Sequence, residues 1–116
     1  MISEFKLLNT FEERLTEANK ILKKYDERIP IILEKYKTKK LKSIDKKKYL
    51  VPRDLTVSQF LFVVRKRIEL SSEQAIYLFC NNILLSSNSL MGQIYDKHKD
   101  EDNFLYVYYD TENTFG

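Results

Sequence analysis

The sequence predicts an α+β fold in which a long helix crosses a mixed sheet with a strand hairpin on each side. Three observations carry this. "RIPIILEKY" (28–36) and "KKYLVP" (47–52) read as two consecutive strands. "TVSQFLFVVRKRI" (56–68) opens with a capping signature and repeats apolar residues at helical spacing. "AIYLFCNNILLS" (75–86) and "NFLYVYYD" (103–110) then supply a tight hairpin and a strand whose residues alternate between two faces.

At the N-terminus, Ile2, Phe5 and Leu8 fall near helical spacing and are expected to dock on the core, being too few for a helix lying in a membrane interface. Thr10 and Glu13 form a capping box, and Phe11, Leu15, Ala18, Ile21, Leu22 and Tyr25 make one stripe behind it. Pro30 removes a ladder donor from the first strand, so one side of that strand is expected to be unpaired or covered at that point. Residues 35–48 hold eight lysines against Asp45 and read as a loop; Pro52 ends the second strand. In the long helix Val57, Phe60, Leu61, Val64 and Ile68 form the core stripe, while Phe62 and Val63 lie off it. Asn81-Asn82 can take the positive φ angles of a two-residue turn, and residues 89–98 read as a short helix. The resulting order is the β-grasp layout of ubiquitin.

Length and composition bound the function. A chain of 116 residues is one domain with one modest core. No apolar run approaches the ~20 residues of a membrane helix, and the N-terminus lacks the basic start and apolar stretch of a signal peptide, so a cytoplasmic protein is expected. The single Cys80 excludes an internal disulfide and reads as a small buried hydrophobe. A net charge of +3 does not imply nucleic acid, and the lysine run has no aromatics interleaved for base stacking. His98 has no second histidine, and "DKHKDED" offers no paired carboxylates in an apolar cleft. No catalytic constellation, cofactor motif or metal site is legible, so no enzyme is expected.

"FEERLTEANKILKKYDERIPIILEK", "IDKKKYLVPRDLTVSQFLFVVRKRI", "HKDEDNFLYVYY" and "ENTFG" together resemble the autophagy ubiquitin-like modifiers, from about Phe11 to Gly116. "RIP", "KYLVP" and "TFG" in that order are specific as a set. The resemblance implies two N-terminal helices (within 1–26) on a ubiquitin-like β-grasp body (27–110), with a flexible tail (111–116). It implies that Gly116 is joined to phosphatidylethanolamine and that Phe115 is read by processing or activating enzymes. It further implies that the edge of the second strand binds aromatic-x-x-aliphatic peptides. The aromatic pocket would use Glu17, Ile21, Pro30, Ile32, Lys48, Leu50 and Phe104. The aliphatic pocket would use Tyr49, Val51, Pro52, Leu55, Phe60 and Val63. Arg28, Lys46 and Arg67, with Lys48, would face acidic residues beside the peptide. The implied partners are activating and conjugating enzymes, a cysteine protease, cargo receptors, and a membrane reached through the lipid anchor. The soluble form is expected to be a monomer that binds no nucleic acid, found in the cytoplasm and, when lipidated, on autophagosomal or other vesicle membranes.

The chain departs from the family pattern at Asn103, where glycine is usual, in its lysine-rich loop, and in having nothing after Gly116 where most relatives carry a residue for a protease to remove. Asn tolerates left-handed backbone, so the turn at Asn103 is expected to survive. A modifier joined to a protein lysine, and a basic module that binds nucleic acid or lipid, stay open as alternatives.

Overall fold

A computed structural model describes residues 2–36, 41, 43–70 and 73–111. The elements are α1 (Glu4–Leu8), α2 (Phe11–Lys24), β1 (Arg28–Lys35), β2 (Lys48–Pro52), α3 (Val57–Arg67), β3 (Tyr77–Cys80), β4 (Ile83–Leu84), α4 (Met91–His98) and β5 (Leu105–Asp110). They form one five-stranded sheet in the order β2-β1-β5-β3-β4. β1 and β5 pair in parallel at its centre; the other neighbours are antiparallel. This is the expected α+β, ubiquitin-like arrangement with two N-terminal helices.

Both long helices begin where the sequence placed their caps. Thr10 and Glu13 close a capping box on α2, and Thr56 and Gln59 close one on α3, each satisfying amides that the first helical turn leaves without partners. The parity of the strands then sorts their side chains. Ile29, Ile31, Leu33, Leu105, Val107 and Tyr109 face α3 and α4, where Phe60 and Val64 are fully buried. Ile32, Phe104 and Tyr106 face the other way, onto Phe5 of α1 and Ala18 of α2. The sheet is therefore covered on both faces at β1 and β5, and both strands are apolar nearly throughout, as central strands require.

Pro30 sits opposite Leu50. Backbone bonds at Leu33–Lys47 and Arg53–Glu27 fix which residues bond across the β1–β2 pair, and they place the Pro30–Leu50 pair at a position without ladder bonds. The nitrogen of Pro30 points towards β5, one residue before the parallel register begins at Ile31 and Leu105. No donor is missed there, so the proline is tolerated in a strand with neighbours on both sides.

Several expectations are corrected. The stripe on α2 is only partly core: Ala18 is buried and Ile21 and Leu22 are half-buried, but Phe11 and Tyr25 at its ends are exposed, because the helix turns only a narrow face to the sheet. At the N-terminus only Phe5 docks. Ile2 and Leu8 lie in solvent, since α1 has a single turn and a half and presents one side chain inward. β1 stops at Lys35 rather than residue 36, Leu61 is half-buried, and β3 and β4 are shorter than the predicted hairpin run.

Among the described residues four non-glycine positions hold positive φ, and three were legible as asparagines: Asn81 (51°) and Asn82 (63°) in the β3–β4 turn, and Asn103 (69°) before β5. The Asn103 side-chain Nδ2 also donates to Asn19 Oδ1 at 2.8 Å, tying the turn to α2. Gly92 answers a different demand. Its amide donates to the Arg53 carbonyl at 2.9 Å, and a Cβ there would lie 2.9 Å from that oxygen and 2.8 Å from Arg53 Cβ.

Asp102 is fully buried and carries the link between α2 and β5. It accepts from Arg14 Nη1 (2.5 Å), the Phe104 amide (2.8 Å) and the Tyr106 hydroxyl. Burial works against the charge of Arg14, but Tyr106 and Asp102 outweigh it and hold the guanidinium more firmly protonated than usual.

Candidate functional site

β2 is an edge strand, and the bond pattern that ties its odd-numbered residues to β1 turns the backbone of Lys48 and Leu50 outward. Pro52 ends this open ladder, having no N–H to offer. An unpaired strand edge is a template for a further strand. Here one of its acceptors is occupied: Arg28 Nη1 donates to the Leu50 carbonyl at 3.0 Å.

On the α2 side of this edge Pro30 is buried, and the fully buried Ile32 and Phe104 form the second core cluster with Phe5, Ala18 and Tyr106, with Ile21 packed against it. Phe5 meets Phe104 edge to face at 5.2 Å. Lys48 reaches over this cluster, with Nζ paired to the Glu17 carboxylate and 5.6 Å from the Phe5 ring. Glu17, Ile21, Lys48 and Leu50 are the accessible members of this set. The ion pair is half in solvent and therefore worth little.

On the α3 side, Tyr49, Val51 and Phe60 belong to the main core, and Tyr49 and Phe60 meet edge to face at 5.6 Å. Pro52, Leu55 and Val63 are the members that reach the surface, with Val63 43% exposed beside Phe62 on α3. Burial raises the Tyr49 phenol above its ordinary range, and among the described residues its hydroxyl has no hydrogen-bond partner. Lys46 Nζ lies 5.0 Å from the Tyr49 ring, and Arg67 Nε pairs with Asp45 at 3.0 Å. That hydrogen bond from Arg67 is the main reason the Asp45 carboxyl sits below its usual value.

The fold thus brings both proposed residue sets to the same edge strand, one on each side of it. Gly116, Phe115, Lys37, Lys39, Lys40 and Lys42 lie outside the described residues. Sequence reasoning missed Phe5 as the lid of the second cluster, and missed Glu34. Glu34 is 5% exposed, and its Oε2 accepts the Phe5 amide at 3.0 Å. Strand parity held the signal, because Glu34 follows Pro30 and Ile32 on one face of β1.

Comparison with known proteins decides the family. Residues 13–116 match the family described as "Autophagy protein Atg8 ubiquitin like". The chain belongs to the Atg8 family. It is 57% identical to Autophagy-related protein 8B of Oryza sativa subsp. japonica over 114 residues, 98% of this chain and 96% of that protein. It is 54% identical to Autophagy-related protein 8e of Arabidopsis thaliana over 114 residues, 98% of this chain and 93% of the relative. Among solved structures, Trypanosoma brucei ATG8 superimposes with a TM-score of 0.91 at 43% identity, over 95% of each chain. Plasmodium falciparum Atg8, solved with a P. falciparum Atg3 peptide, gives 0.88 at 38% identity, over 96% of this chain and 98% of that one. This Atg8-family chain is accordingly an autophagy ubiquitin-like protein. Among the described residues, no helix is long and apolar enough to cross a membrane.

Proposed function

We propose that this protein is a non-enzymatic ubiquitin-like modifier of autophagy. It is joined through Gly116 to the amine of phosphatidylethanolamine and acts on autophagosomal membranes as an adaptor for aromatic-x-x-aliphatic peptides. The observation that carries the adaptor reading is the edge of β2, where the Lys48 and Leu50 backbones face outward between α2 and α3. A peptide adding a strand there gains backbone bonds, and its alternate side chains reach the two residue sets. Arg28, Lys46, Lys48 and Arg67 set the charge of that edge and tune encounter with acid-flanked peptides. Family membership supports the modifier reading, and the Plasmodium relative's complex with a peptide of Atg3 supports a conjugating enzyme among the partners. The other partners proposed are an activating enzyme, a cysteine protease and cargo receptors. Residues 1–26 serve as a helical extension on the body 27–110, and 111–116 as the tail that enters the enzymes. A terminal glycine adds no side chain beside the attacked carbonyl, which suits adenylate and thioester formation.

Two measurements test this. Incubation with activating and conjugating enzymes and phosphatidylethanolamine liposomes should give a membrane-bound product that a Gly116 deletion does not form, while the deletion still binds peptide. Transfer to a protein lysine in place of the lipid would overturn the lipid reading. Calorimetry with an aromatic-x-x-aliphatic peptide should give micromolar affinity, about −8 kcal/mol. Leu50→Glu should abolish binding at constant folding midpoint; Leu50 suits the test better than Tyr49, which is core.

A further inference from the structure

The two ends of the sheet differ in charge. β1 and β5 run in parallel, with Lys35 opposite Tyr109, and β2 and β3 run against them. The last residues of β1 and β5 therefore share one end with the starts of β2 and β3. Lys35, Lys46 and Lys47 stand there, and the last turn of α3 adds Arg65, Lys66 and Arg67. Arg65 Nη1 donates to the Gln74 carbonyl just before β3, and Arg67 Nε to Asp45 just before β2. Among the described carboxylates exposed at this end, Glu4 is paired with Lys47 and Asp45 with Arg67; the others are Glu69 and Glu73. The opposite end is mixed, with Asp26, Glu27, Asp54 and Asp100 beside Arg28 and Arg53. β5 delivers the tail to the basic end. The Tyr109 carbonyl accepts the Tyr36 amide and its hydroxyl accepts the Ile44 amide, each at 2.9 Å, so the segment joining β1 to β2 starts and returns at the root of the tail. That segment is the lysine-rich run of the sequence.

We infer that in the lipid-joined protein this basic end rests on the membrane and recognises anionic phospholipid headgroups. The inference rests on the conjugation of Gly116 and extends it. Thr111 is followed by five residues, which span at most about 18 Å when extended. The anchor thus keeps the basic end close to the headgroups, and attraction between exposed charges takes over inside a Debye length of about 8 Å. Clustered lysines and arginines beside an anchor are the chemistry that anionic lipids attract. A lipid with two chains already holds the protein on the membrane, so the patch decides orientation and choice of membrane. With the basic end down, the strands stand along the membrane normal. The β2 edge then opens sideways, clear of the lipid, to its peptide. A membrane fits this patch better than nucleic acid does, because the anchor brings the membrane to it.

The test forms the conjugate enzymatically on liposomes of phosphatidylcholine and phosphatidylethanolamine, with or without phosphatidylglycerol, which adds negative charge without an amine. A brief pulse of an amine-acylating reagent, followed by mass spectrometry, then reads each lysine in the unaltered protein, free of any folding effect of a substitution. Lys35, Lys47 and Lys66 should react several-fold more slowly on the anionic liposomes, while Lys24 and Lys99, at the other end of the sheet, react equally on both. Salt at about 0.5 M, which shortens the Debye length to roughly 4 Å, should remove the difference. Equal reaction of Lys35, Lys47 and Lys66 on the two liposomes would overturn the inference and leave the lipid reading intact, and so would equal slowing at both ends of the sheet. Slowing of the same lysines by single-stranded RNA, with none from phosphatidylglycerol, would overturn it by assigning the patch to nucleic acid. Failure of the chain to form the conjugate on neutral liposomes would overturn the lipid reading and this inference with it.

Discussion

The Arg28 guanidinium donates to the Leu50 carbonyl at 3.0 Å, so the outward ladder of β2 carries a side chain on one of its acceptors. An incoming strand must displace it. A peptide with neutral flanks should bind Arg28→Ala a few-fold tighter than the unaltered protein, since an exposed bond of about 1 kcal/mol no longer has to be broken. An acid-flanked peptide should bind it more weakly, because it loses a charge partner. Weakening for both peptides in calorimetry would show that Arg28 is a direct contact and not a latch.

Gly92 should be irreplaceable for steric reasons alone. In Gly92→Ala the new Cβ meets the Arg53 backbone, which cannot rotate away. The expected loss is about 1–3 kcal/mol, read as a lowered urea midpoint at constant slope. Peptide binding at β2 should persist, because β2 ends at Pro52, before the disturbed contact.

The Asp102 network should behave as a unit. Asp102→Ala leaves Arg14 without its buried partner and should cost about 3–5 kcal/mol. The same change in an Arg14→Ala background should cost clearly less. An additive double-mutant cycle in urea denaturation would mean that the two residues act independently.

Alkaline titration should expose the sheet's tyrosines late. Burial is the main reason that Tyr95, Tyr108 and Tyr109 are each pushed up to about 12. The folded state thus holds these protons more tightly than the unfolded chain, whose phenols titrate near 10. Their contribution to stability is whole below pH 10 and is lost as pH rises from 10 through 12. Tyrosinate absorbance and circular dichroism should show part of the phenols ionising together with loss of fold. All eight tyrosines titrating near pH 10 with the dichroism unchanged would contradict this burial.

The fold was largely legible because its signals are local. Capping boxes at Thr10 and Thr56, the Asn81-Asn82 turn and the alternation of residues 105–110 each announce themselves within a few residues. What escaped depends on pairs far apart in sequence. Nothing near Glu34 says that it anchors Phe5, and nothing near Asp102 says that Arg14 will meet it in the interior. The α2 stripe misled for a related reason: helical spacing shows which side chains share a face, but not how much of that face a neighbouring sheet will cover. At the candidate site, period-two parity sorted Lys48 and Leu50 from Tyr49 and Val51, and the burial pattern follows that division. It did not reveal that several pocket candidates are core floor, with a few neighbours at the surface.

The central place of β5 has a consequence for how the chain comes into being. Ile31 waits for Leu105, and Leu78 for Tyr109, so the two antiparallel pairs have no common partner until β5 is made. At about 5–20 residues per second, the roughly 70 residues between Ile31 and Leu105 hold β1 open for several seconds of translation. During that interval the inner edges of β1 and β3 are bare, and they are the strands most open to pairing with a neighbouring nascent chain. A chain cut before β5 therefore yields two unjoined halves with exposed edges, and the cell meets it as a substrate for chaperones and proteases rather than as a weakened version of the folded protein.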